Sequence, residues 1–147
     1  MGPAGPAAQS SLTQDIGAWT PILGGTTGES GQAYSTQRGY YVRTGKLVHL
    51  WCYLQLSAKG VITGPLLLKG FPFPAALVPM FFAGVNAYYS NLSPAMANSP
   101  VIFPYGNGGC SYAFLYTPVP SSNPRQLLES DINDHTQMTF SISYFTD

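Results

Sequence analysis

The segment "KLVHLWCYLQLS" alternates strictly. Val48, Leu50, Cys52, Leu54 and Leu56 fall on one side, which is the period-2 signature of a half-buried strand. The opposite side carries Leu47, His49, Trp51 and Tyr53. That set is too apolar to face water alone, so it predicts a second sheet or a neighbouring subunit against it. The closing segment "TQMTFSISYF" alternates equally well, with Met138, Phe140, Ile142 and Tyr144 inward and Gln137, Thr139, Ser141 and Ser143 outward. Between these lie "AYSTQRGYYVR", "GPLLLKG", "MFFAGVNAYY", "PVIFPY" and "CSYAFLYT", each rich in aromatic or branched residues and punctuated by Gly, Pro or Asn. About seven or eight strands are expected. Only "PRQLLES", residues 124–130, has a helical look, with Pro124 as its starting residue and room for a turn or two.

Many short strands and thirteen prolines predict an all-β chain, an antiparallel β-sandwich or jelly-roll, and argue against a parallel α/β fold. With 147 residues, a single domain over 16–147 is expected, preceded by an extended arm over 1–15. The arm is Gly, Pro, Ala, Ser and Gln without periodicity and has too little apolar content to fold by itself. It begins "GPAGPA", but the glycine period fails at Ala8, and two triplets do not make a collagen helix. What remains is a proline-stiffened strand suited to lying along another protein. Gly2, Pro3, Gly5, Pro6, Gln9 and Leu12 are its candidate contact residues.

Composition sharpens this picture. Only 8% of residues are charged, against roughly 25% in ordinary soluble domains, while 14% are aromatic. Such a surface calls for partners. A formal net charge of zero gives no bulk attraction to nucleic acid or anionic membrane. Arg38, Arg43, Lys46, Lys59 and Lys69 cluster mid-chain, and Glu129, Asp131, Asp134 and Asp147 lie late. The first reading of that asymmetry is scattered solvated charge, the second a steering of subunit contacts. The N-terminus lacks a basic and apolar leader, and the longest apolar runs are cut by proline, so neither a signal peptide nor a membrane span is expected. The chain is expected to be soluble and made in the cytoplasm.

Candidate chemistry is sparse. "SDINDH" places Asp131, Asp134 and His135 close together, but it reads as a polar loop before the last strand rather than a metal site. His49 has no second ligand at a metal spacing and suits packing or an interface. "GNGGCS" lacks the strand-to-helix context of a nucleophile elbow or phosphate loop and predicts a hairpin turn. Glu29 and Glu129 are not placed together by any pattern, so no carboxylate pair for glycoside cleavage can be named. Cys52 and Cys110 fit no metal or redox spacing and are expected as buried free thiols. No catalytic residue, cofactor or metal is assigned. In "QRGYYVRTGK", Arg38 and Tyr40 share one strand face and Tyr41 and Arg43 the other, which predicts a structural hairpin rather than a nucleic-acid stripe. "NAYYSN" offers Tyr88, Tyr89 and Asn91 as a sugar-stacking platform, against a reading in which the two tyrosines split between core and surface.

The order and spacing of "WTP" at 19–21, "YSTQRGYYVRTGKLV" at 34–48, "GFPF" at 70–73 and the closing "SISYF" are distinctive together. Across residues 17–146 the chain resembles a β-sandwich module of tailed-bacteriophage structural proteins, especially the C-terminal tips of tail fibres. The resemblance implies a homotrimeric, non-enzymatic component of the virion surface that attaches, caps or recognises. Its expected partners are further copies of itself, the major capsid protein or other virion proteins and, in the fibre-tip alternative, a host surface glycan. Only residues 1–15 precede the module, whereas a fibre needs an upstream anchor. The first expectation is therefore a capsid decoration or cement protein held by its arm, and the alternative a short receptor-binding tip or head fibre.

Overall fold

The computed structural model describes residues 14–77, 81–83, 86–93 and 103–147. Its first sheet is built from β1 (Gln14–Trp19), β4 (Ala33–Thr44), β5 (Leu47–Ala58), β9 (Asn86–Leu92) and β13 (Ile132–Phe145), in the spatial order β1-β4-β5-β13-β9. The second contains β2 (Ile22–Gly25), β7 (Leu66–Lys69), β8 (Phe81–Ala83), β10 (Phe103–Asn107) and β11 (Tyr112–Thr117), in the order β2-β7-β11-β10-β8, with β12 (Arg125–Gln126) beside β11. A small ribbon pairs β3 (Gly28–Ser30) with β6 (Val61–Thr63). Every pairing is antiparallel. The chain is all-β, and among the described residues no helix is long and apolar enough to cross a membrane.

The alternation of β5 and β13 sets the core. Val48, Leu50, Cys52, Leu54 and Leu56 are buried beside Met138, Phe140, Ile142 and Tyr144, as their spacing predicts. Leu23, Leu66, Leu68, Ala113 and Leu115 of the second sheet join the same hydrophobic cluster, and Trp19, Ile62, Phe71, Ala75, Leu127 and Ile132 complete it. The β4–β5 hairpin closes through a two-residue loop, Gly45 and Lys46. Gly45 sits at φ 58°, the left-handed conformation that a first loop position of this kind demands.

Several expectations change. "PRQLLES" is not helical: Arg125 and Gln126 pair with Thr117 and Tyr116, and a single 3-10 turn follows at Glu129–Asp131. The cause is burial. Leu127 is fully enclosed, its N–H donates to Leu115 O (2.8 Å), and its carbonyl accepts from Leu66 N (2.8 Å). A short helix would forfeit both bonds. "MFFAGVNAYY" is split between β8 in the second sheet and β9 in the first. Thirteen strands are present among the described residues, more than expected, because glycine-rich pieces such as "ILGG" and "GES" pair without any alternation to announce them. "SDINDH" is not a loop ahead of the last strand; from Ile132 onward it is β13, with an irregularity between Ile132 and Gln137. The first strand starts at Gln14, inside the expected arm. Cys52 is buried, but Cys110 is only half-buried.

Candidate functional site: the outer face of the first sheet

Register aligns the outward side chains of the first sheet into rows. Gln14, Thr44, Leu47 and Phe145 lie across from one another, then Ile16, Val42, His49 and Ser143, then Ala18, Tyr40, Trp51 and Ser141, then Arg38, Tyr53, Thr139 and Tyr88. An antiparallel sheet with one wet face normally turns polar residues outward. This one does not. Ile16 is 69% exposed, Tyr88 58%, Tyr40 56%, Phe145 50%, and Leu47 and Trp51 each 45%. The other exposed large hydrophobic side chains among the described residues, Val61, Leu77 and Leu128, lie elsewhere. Arg38 alone is charged in these four rows. All four residues expected from the β5 pattern, Leu47, His49, Trp51 and Tyr53, are brought onto this face, with His49 and Tyr53 half-buried.

The face is held from beneath and from the sides. Trp19, on β1, turns its indole under the β4–β5 pair and donates from Nε1 to the carbonyls of Tyr40 and Trp51, both at 3.2 Å. Gly39 makes room for it, since a Cβ there would lie 2.7 Å from the indole ring. The His49 ring is fixed by the hydroxyls of Ser141 (2.9 Å to Nε2) and Ser143 (at Nδ1), and it packs on Trp51 with centroids 4.1 Å apart. Gln137 Nε2 donates to the Tyr53 hydroxyl at 3.0 Å. Two neighbouring recesses open on Arg38 and Tyr40. One, of about 270 Å³, is lined by Arg38, Tyr40, Trp51, Cys52, Tyr53 and Thr139. The other, of about 260 Å³, is lined by Ala18, Trp19, Thr20, Gln37, Arg38, Gly39 and Tyr40.

Other candidate residues separate. Tyr88 points outward next to Thr139, whereas Tyr89 packs against the core, so the two do not form one platform. Asn91, at φ 56°, is engaged in a clasp: its carbonyl accepts from Asn133 Nδ2 and Thr136 Oγ1, and its amide donates to His135 O. Asp131 is buried and chelates the Arg125 guanidinium at 2.8 and 2.9 Å, with Leu128 N–H donating at 2.8 Å. Asp134 accepts from Lys59 N–H at 2.9 Å. No group of three potential metal ligands occurs among the described residues. Burial pushes the Cys52 thiol up to about 12, which leaves it unreactive. "GNGGCS" is the β10–β11 turn, with Gly109 at φ 80°. Tyr41 and Arg43 face away from Arg38 and Tyr40, and the Arg43 guanidinium lies 4.7 Å from the Phe73 ring centroid. The arm residues Gly2, Pro3, Gly5, Pro6, Gln9 and Leu12 lie outside the described residues.

Sequence reasoning missed Ile16, Tyr40 and Phe145 as companions of the β5 set. Phase within each strand was legible, but the register that aligns Ile16 with His49 and Phe145 with Leu47 was not. No family model, no curated protein and no solved structure matches the chain.

Proposed function

We propose that the chain is a non-enzymatic structural protein of a tailed-bacteriophage virion, a jelly-roll-like homotrimer that decorates the outer capsid surface and reinforces it through its N-terminal arm. The virion context comes from the sequence resemblance. One observation carries the assembly part: six of the nine exposed large hydrophobic side chains among the described residues gather on the outer face of the first sheet, which is almost free of charge. Apolar surface of this kind is covered in stable proteins, and closed symmetry lets copies of one chain cover it for each other. The rows with Ile16, Val42, Leu47 and Phe145 suit that contact because they contain no charge to strip of water.

Three arms per trimer act at high effective concentration, so a weak contact from each holds the cap. Deletion of residues 2–13 leaves β1 whole and tests the arm. The truncated protein is expected to keep its oligomeric state and lose binding to expanded capsids together with their protection against heat. Undiminished binding and protection would show that the arm is not the anchor. A second reading, a fibre tip or head fibre recognising a host glycan, is favoured by the recess beside Trp51 and by Tyr88 near it.

A further inference from the structure

We infer that the recess lined by Arg38, Tyr40, Trp51, Tyr53 and Thr139 binds a carboxylated pyranose, one acidic residue of a surface polysaccharide; this deepens the glycan-recognition reading by naming the ligand. Tyr40 and Trp51 are directly opposed across β4 and β5, and each exposes about half of its side chain, as sugar-stacking faces must. Their positions are set before any ligand arrives. Trp19 ties both backbone carbonyls, His49 packs on one side of Trp51, and Gln137 fixes Tyr53. A platform of this sort loses little entropy on binding.

Charge selects the ligand. The ion pairs of the described residues join Lys59 to Glu129, Lys69 to Glu29 and Arg125 to Asp131, and none includes Arg38. No acidic residue stands in the four rows of this face. A second copy that covered this end would bury a guanidinium without a counter-charge, at a cost that the uncharged Leu47–Phe145 end does not carry. The Arg38 end is thus left open to a carboxylate, which a guanidinium binds through two parallel hydrogen bonds. The recess itself presents almost only apolar surface, as a sugar-stacking face does, and the exposed Arg38 side chain supplies the charge beside it.

A peptide is the poorer match. β4 and β5 are interior strands whose backbone groups are already paired, so no edge is offered for strand addition. At about 270 Å³ the recess is smaller than most drug-sized pockets and of a size for one sugar ring.

The test titrates full-length protein carrying 5-fluorotryptophan with four probes: a hyaluronan tetrasaccharide, 3′-sialyllactose, and their neutral counterparts chitotetraose and lactose. The Trp51 fluorine signal should shift saturably with at least one acidic probe, while the buried Trp19 signal stays in place. The matched neutral sugar should bind about tenfold more weakly or not at all. Arg38→Gln, with its fold checked by circular dichroism, should abolish the preference for the acidic sugar, and in calorimetric titrations Trp51→Phe should retain part of the binding that Trp51→Ala loses. Equal binding of acidic and neutral probes would overturn the carboxylate assignment and leave glycan recognition standing. No saturable shift with any of the four would overturn both. Unchanged selectivity in Arg38→Gln would place the site elsewhere.

Discussion

Gly39 is where the interior of the molecule reaches its outer face. Its missing side chain admits the Trp19 indole, whose N–H holds the carbonyls behind Tyr40 and Trp51. Gly39→Ala should therefore cost about 1–3 kcal/mol as an overpacking change, read as a lower urea midpoint. It should also broaden the Trp51 signal, which a purely local loss would not do. Asp131 has a different sensitivity. Burial by itself would raise its carboxyl, but the Arg125 guanidinium and the Leu128 N–H outweigh that and hold it below the ordinary 3.8. A carboxyl lowered in the folded state contributes stability in full above its unfolded value and loses it as pH falls through the folded one. Urea midpoints should accordingly drop as pH falls below about 5 and on through the lowered folded value, with a shallower drop in Asp131→Asn. Arg125→Ala at neutral pH should cost about 2 kcal/mol, because it strips a buried carboxylate of its partner.

At the scale of elements, the long strands β5 and β13 were readable because each alternates over most of its length and has one buried face. Leu54 lies at their centre, fully buried, and Leu54→Ala should cost about 2–5 kcal/mol by the cavity it leaves. The short strands were not readable. β2, β3 and β12 are two to four residues long and owe their state to partners distant in sequence, as when Gln126 pairs with Tyr116. Leu127 shows how far this goes: the heptapeptide around it has helical residues, yet two tertiary hydrogen bonds and complete burial make it extended. The functional face was legible in part for the same reason. The pattern of β5 placed Leu47, His49, Trp51 and Tyr53 together, but only strand pairing adds Arg38 and Tyr40 from β4, Tyr88 from β9 and Thr139 and Phe145 from β13.

At the scale of the whole molecule, three of the six basic residues are already paired with acids on the same chain, so few charges remain to keep copies apart. The outer face of the first sheet then divides by charge. Its Leu47–Phe145 end suits contact between copies, and its Arg38–Trp51 end suits an anionic ligand. Leu47→Glu combined with Phe145→Glu should separate the copies without unfolding them, since both side chains already stand about half exposed on the single chain. The direct measurement is sedimentation equilibrium on the full-length protein and on this double variant. The unaltered protein should sediment at three times the 15.7 kDa chain mass, and the variant as a folded single chain. An unaltered protein that sediments as a single chain at every concentration, or a variant that keeps the higher mass, would contradict this assembly.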